Sequence, residues 1–180
     1  MTGDHVTATA GQPDATGPGA ASASPGHTPP GPGIGLLRID HVGVAVADLD
    51  AAIEFYTRVF GMRCVHTETN PEQGIREAML AVGPDPQGGC VQLLAPLSDS
   101  SPIAKFLDRS GPGVQQVAYT VADVAAAAAA LRARGLRLLY DAPRRGTAGS
   151  LINFVHPKDA GGVLVELVQP APTAPTPTAA

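Results

Sequence analysis

From Ile39 to Val46 apolar residues alternate with polar or small ones and β-branched side chains dominate, which predicts a strand. Asp48 follows, with a carboxylate suited to take the first free N–H groups of a helix. Leu49, Ile53, Tyr56 and Phe60 then recur at three- and four-residue steps, predicting a helix with one buried face that Gly61 closes in a left-handed cap. Strands are expected at Arg63–Glu68, Ile75–Val82 and Cys90–Leu94, with PDPQGG as the turn before the last. Ser101 and Pro102 open a short helix running to Arg109.

The same order then returns. IDHVGVAVADLDAAIEFYTRVFGM is echoed by QQVAYTVADVAAAAAALRARGL, with offsets of 75 from His41 to Gln116 and from Asp48 to Asp123, and 74 from Gly61 to Gly135. The second helix is mostly alanine, so it favours helix but is expected to bury little and to lie thinly on its sheet. Gly135 is its expected left-handed cap. Strands are expected at Leu136–Tyr140, Leu151–Phe154 and Gly162–Val168, and VQLLAP around Gln92 lies over VELVQP around Glu166. Strand-helix-strand-strand-strand, twice, predicts an α+β fold of two paired βαβββ modules, residues 36–95 and 113–169, around a cupped mixed sheet.

Composition narrows the rest. Residues 1–35 hold eight Gly and six Pro and offer nothing to bury, so a disordered tail is expected there, and a second flexible strip at 170–180. The first Lys or Arg is Arg38, so the start has neither the charge of a secretory signal nor the arginines of a transit peptide, and a cytoplasmic protein is expected. A formal charge of -4 without basic runs argues against nucleic acid or anionic membrane as partners. Cys64 and Cys90 have no metal or disulfide spacing and read as reduced thiols.

The repeat also places polar residues. His41 and Gln116 open equivalent first strands, and Gln92 and Glu166 sit on equivalent last strands, so all four converge in the cup. One imidazole, two amide oxygens and one carboxylate suit a divalent cation with positions left open for substrate. Taken singly, His41 and Gln92 would read as ordinary polar residues. Glu166 would not, because it lies in VLVEL, where a carboxylate needs a metal or a buried cation as partner. Glu77 has no polar counterpart, since a shift of 74 leads to Leu151. His66 and His156 read as structural or solvent-facing, although His156 in HPK could line a site. Lys105, Arg144, Arg145 and Lys158 read as solvated surface or as contacts for phosphates, with Arg144-Arg145-Gly146 the best suited.

These stretches, with NPEQGIREAML, LLAPLSDSSPIAKFL and INFVHPKDAGGVLVELV, resemble the vicinal-oxygen-chelate superfamily of glyoxalases, bleomycin-resistance proteins and dioxygenases. Within it they are most similar to the methylmalonyl-CoA epimerase family. The resemblance implies His41, Gln92 and Glu166 as metal ligands and Glu77 and Glu166 as the catalytic pair. Where that family usually has a second histidine this chain has Gln116, a weaker ligand. The implied activity is interconversion of (2R)- and (2S)-methylmalonyl-CoA in propionyl-CoA metabolism, by α-proton removal and return through a metal-stabilised enolate. The implied cofactor is a divalent metal ion (Co²⁺ favoured; Mn²⁺, Mg²⁺, Ni²⁺ or Zn²⁺ as alternatives), and the implied assembly is a homodimer. Two other readings stay open: another metal-dependent, glyoxalase-like enzyme, or a non-enzymatic resistance protein that binds small molecules.

Overall fold

The computed structural model describes residues 33–85 and 88–172. Pro86 and Gln87 of the expected turn, and the expected tails at 1–32 and 173–180, lie outside the described residues. The first module runs β1 (Leu36–Ala45), α1 (Leu49–Phe60), β2 (Arg63–Asn70), β3 (Ile75–Ala81) and β4 (Cys90–Pro96). A linking helix, α2 (Pro102–Ser110), leads to β5 (Gly113–Val121), α3 (Val124–Ala133), β6 (Arg144–Arg145), β7 (Leu151–Val155) and β8 (Leu164–Gln169). The caps act as the sequence predicts. Asp48 and Asp123 accept from the N–H groups of Ala51 (3.0 Å) and Ala126 (2.8 Å), and Gly61 and Gly135 take φ of 67° and 83°.

All eight strands form one mixed sheet in the order β2-β3-β4-β1-β5-β8-β7-β6. Strands β1 and β4 pair in parallel, as do β5 and β8, and each such pair is the centre of one module. Antiparallel pairing of β1 with β5 joins the modules. Each half carries its own core: Leu49, Ala78, Leu80 and Leu93 in the first, and Val121, Val124, Leu131 and Leu167 in the second. The fold is therefore the expected α+β cup of two βαβββ modules. Among the described residues no helix is long and apolar enough to cross a membrane.

Four local expectations change. Phe60 is 59% exposed, and its ring rests against Phe55 and Tyr56 of the same helix instead of entering the core. Conversely, the alanine helix α3 buries Val124, Ala127, Ala128 and Leu131, because small side chains let its axis approach the sheet. Leu136–Tyr140 forms only one ladder bridge, Leu138 to Val155. The Asn153 side chain takes over there, accepting from the Tyr140 N–H (3.3 Å) and donating to its carbonyl (3.0 Å), so the backbone ladder stops. The edge of the sheet is instead Arg144–Arg145 on β7. Ordered packing also runs past residues 36 and 169: Ile34 packs on the second core, and Pro170 and Ala171 line a cavity.

The close approach of α3 is testable. Ala128 is 1% exposed, so Ala128→Leu should overpack the helix-sheet contact and cost about 1–3 kcal/mol. Thermal or urea unfolding of the variant measures this; an unchanged midpoint would mean that α3 has room to move away.

Candidate active site

Four adjacent strands set the site's centre. Gly43 on β1 pairs with Gln92 on β4 on one side and with Gln116 on β5 on the other, and Ala118 on β5 brings in Glu166 on β8. The glycine is needed for space. A Cβ at Gly43 would lie 2.5 Å from Gln116 Cγ and 3.0 Å from its Cδ, so the missing side chain is the room into which Gln116 folds. Sequence reasoning passed over Gly43, because its role comes from the strand register and nothing in its own stretch of chain marks it.

His41, Gln92, Gln116 and Glu166 are all buried and meet. The Gln116 amide nitrogen stands at their centre, 2.5 Å from Glu166 Oε2, 3.2 Å from Gln92 Oε1 and 3.4 Å from His41 Nε2. His41 Nε2 is also 3.2 Å from Glu166 Oε2. The contacts continue outward. Gln92 turns its own amide nitrogen to Glu77 Oε2 (2.6 Å) and Thr147 Oγ1 (3.0 Å), and Thr147 donates to Glu77 Oε1 (2.9 Å). An unbroken row thus runs His41–Glu166–Gln116–Gln92–Glu77–Thr147, buried from His41 to Glu77 and half-buried at Thr147. Thr147 was not among the sequence candidates, because it sits in a Gly-rich connection with no counterpart in the repeat.

Glu77 is 1% exposed. Its partner on β4 is Leu94, whereas the matched position on β8, Val168, pairs with Ile152. The true counterpart of Glu77 is therefore Ile152, which is 1% exposed, and not Leu151, which is 42% exposed and faces away. The one-residue error comes from the differing lengths of the turns. The asymmetry stands all the same: a carboxylate in one half replaces an aliphatic side chain in the other.

Electrostatics follow from burial. Desolvation holds the Glu77 carboxyl above the usual range, with the Thr147 hydrogen bond opposing it. For His41, burial works to lower the imidazole pKa, but hydrogen bonds to Asp40 and Glu166 and their charges outweigh it and raise the value to about 9. Asp40 Oδ1 lies 3.0 Å from His41 Nδ1, and its other oxygen accepts from Thr120 (2.7 Å). A proton on Nδ1 shared with Asp40 leaves Nε2 to face the cluster.

Two cavities flank the row. The larger, about 530 Å³, is lined by Gln92, Gln116, Glu166, Thr147, Tyr140 and Arg144 among others; the smaller, about 260 Å³, by His41, Glu166, Thr147, His66 and Met79. Arg144 stacks over Tyr140 at 4.1 Å and so lies at the larger cavity. In the same cavity Gln115 has its side-chain oxygen buried without a partner. Arg145 lies 4.0 Å from Glu68, and Lys105 and Lys158 are exposed and line neither cavity. His156 caps a short turn by accepting from the Lys158 N–H. His66 pairs with Glu68 at 2.9 Å.

Two expectations follow. In metal-free protein the raised His41 pKa means that the folded state holds this proton more tightly than the unfolded chain. That stabilisation is complete below about pH 6.5 and is lost as pH rises through about 9. Melting temperature recorded with chelator should fall across this window, and His41→Gln should flatten that slope; a wild-type profile without the slope would refute the paired imidazolium. Separately, Gly43→Ala should push Gln116 out of the row, leaving buried acceptors unpaired at a cost of about 1–3 kcal/mol. A crystal structure of that variant with Gln116 unmoved would contradict the space argument.

Similarity to known proteins agrees with this geometry. Residues 40–154 match the family Glyoxalase/Bleomycin resistance protein/Dioxygenase superfamily. The methylmalonyl-CoA epimerase structure from Mycobacterium tuberculosis is 59% identical with a TM-score of 0.73, covering 76% of this chain and 90% of that one. A methylmalonyl-CoA epimerase solved in complex with methylmalonyl-CoA and NH4+ is 51% identical with a TM-score of 0.72, covering 76% of this chain and 96% of that one. The ethylmalonyl-CoA/methylmalonyl-CoA epimerase of Cereibacter sphaeroides is 36% identical over 134 residues, 73% of this chain and 97% of the relative. With its two fused βαβββ modules and the polar row at their junction, the chain belongs to the glyoxalase/bleomycin-resistance/dioxygenase superfamily and stands within it among the methylmalonyl-CoA epimerases.

Proposed function

We propose that this protein interconverts the two C2 epimers of methylmalonyl-CoA by taking the α-proton from one face and returning it to the other. The observation that carries this reading is the pair of buried carboxylates, Glu77 from the first module and Glu166 from the second, joined through Gln92 and Gln116, with Glu166 and both glutamines lining the larger cavity. Epimerisation needs two acid/base groups flanking one carbon, and a base works best with a pKa near the working pH. Burial moves Glu77 in that direction. Thr147 and Gln92 each hold one Glu77 oxygen, which fixes the carboxylate in place, and both of these partners line the larger cavity. Arg144 on the Tyr140 ring offers a planar cation to the phosphates of coenzyme A.

The donor set fits a divalent cation. Glu166 Oε2, Gln92 Oε1 and His41 Nε2 all point at one spot, which the Gln116 amide nitrogen fills. Gln92 is fixed with its oxygen inward, because its nitrogen is already engaged by Glu77 and Thr147. Gln116 would have to turn its amide by half a rotation to offer oxygen, a change that leaves its shape intact. Among the described residues no three His, Cys, Asp or Glu side chains gather as a metal group; two of these four donors are amides. When bound there, a divalent cation such as Co²⁺ supplies Lewis-acid stabilisation of negative charge on the substrate's oxygens. Hard and borderline ions suit such ligands better than thiophilic ones. A homodimer is part of the same proposal, with the exposed Leu37, Ile39 and Phe60 as apolar surface for a second copy to cover.

The test is exchange of the α-proton of methylmalonyl-CoA in deuterated buffer, with and without chelator. Wild type should exchange and epimerise, and chelator should suppress both. Glu77→Gln keeps shape and hydrogen bonding but cannot accept a proton. Net epimerisation should then fall by about a hundred- to ten-thousand-fold, the range for a lost general acid/base. Wash-in of deuterium into a single epimer should outpace inversion in that variant. Epimerisation at the wild-type rate in Glu77→Gln would end the two-carboxylate reading.

A further inference from the structure

Segment Arg144–Ser150 belongs to the second module yet lies against the first. Thr147 reaches Glu77 and Gln92, and the Gln73 side chain donates to the Arg145 carbonyl at 3.3 Å. The segment is tightly wound. A Cβ at Gly146 would stand 2.5 Å from Ile152 Cγ2, and Ala148 sits at φ 52°, ψ 31°, a left-handed conformation that an alanine adopts only under constraint. Such a backbone needs something to hold it. The Ala148 N–H donates to Glu68 Oε2 at 3.0 Å, and His66 approaches the same oxygen at 2.9 Å. In the β2–β3 register Glu68 stands directly opposite Glu77. Two neighbouring carboxylates therefore grip consecutive residues of one strap: Glu68 takes the Ala148 amide while Glu77 takes the Thr147 hydroxyl. Thr147 also walls both cavities, so the strap is the partition between them.

We infer that Glu68 is a positioning residue, which latches this strap through the Ala148 amide and thereby sets Thr147 against Glu77. The inference rests on Glu77 being the acid/base group proposed above. A rim carboxylate that merely decorated the surface would have no backbone amide of a left-handed residue as its partner. Once the latch is lost, Ala148 has no reason to keep its conformation, and Thr147 swings away from Glu77.

The experiment pairs a structural readout with a kinetic one on the full-length protein, using Glu68→Ala, Glu68→Gln, Thr147→Val and the double variant Glu68→Ala/Thr147→Val. Amide hydrogen exchange at Ala148 should speed up about tenfold or more in Glu68→Ala, because its only acceptor is gone. It should stay near wild type in Glu68→Gln, whose amide oxygen can still accept. With methylmalonyl-CoA, kcat in Glu68→Ala should drop about tenfold or more, with KM within about twofold, as expected for a misplaced group. The double variant should be no slower than Thr147→Val alone, since both remove one coupled contact. Unchanged exchange at Ala148 overturns the latch whatever the reaction. Accelerated exchange with kinetic losses that multiply in the double variant overturns the link to Thr147. Absence of any turnover in wild type would instead count against the proposed reaction, leaving the exchange arm to judge the latch.

Discussion

The antiparallel pairing of β1 with β5 is the contact on which everything else here depends. It is the seam between the modules, and it sets Gly43 between Gln92 and Gln116. Slipping a strand by one residue would turn every side chain to the opposite face, so this register decides whether polar groups meet or scatter. The glycine at the seam lets Gln116 fold across the strand instead of standing away from it. The parallel pairs on either side then add Gln92 and Glu166 without a further connection.

What that seam brings together is costly unless it is complete. Five polar side chains in a row, two of them carboxylates, have left water, and each donor or acceptor without a partner would weigh against folding. The row avoids this through its two amides: Gln116 donates its nitrogen to Glu166 and to the Gln92 oxygen, and Gln92 donates its own nitrogen to Glu77, linking Glu166 to Glu77 without placing like charges in contact. Asp40 and Thr120 extend the same satisfaction outward from His41. A structure so arranged holds its reactive groups fixed in advance, which is the form that electrostatic catalysis takes in a dry site. An exchangeable centre, the Gln116 amide, is also the place where a cation could enter without disturbing the periphery.

Departures from the internal symmetry mark the sides of the site. The first half carries His41 and Glu77 where the second has Gln116 and Ile152, and only the second half has a strap between its helix and its last strands. The pseudo-twofold thus supplies a scaffold, and single replacements on it make its two halves chemically different. That is the asymmetry a reaction needs when it must remove a proton from one side and add it on the other.

Much of this was legible in the chain itself. Alternation, aspartate and glycine caps and the 75-residue echo are local or periodic signals, and they specified the strands, the three helices, the module boundary and the grouping of His41, Gln92, Gln116 and Glu166. Glu166 was readable because an apolar strand with one carboxylate is a contradiction that demands a partner. Features governed by neighbours distant in sequence were not legible. Phe60 keeps the helical spacing of the buried face and is exposed all the same, since spacing does not say where along a helix burial stops. The interruption at Leu136–Tyr140 depends on Asn153, and the equivalence of Glu77 with Ile152 depends on ladder register rather than on spacing. Thr147, Gly43 and Glu68 matter through contacts across the modules, with no mark in their own surroundings. The repeat was written in the periodicity of the chain, and the chemistry on it was readable from polar residues at matched positions together with the family resemblance. Which side chains touch was settled by the fold, because contact depends on register, on the room left by a missing Cβ and on a strap crossing from one half to the other.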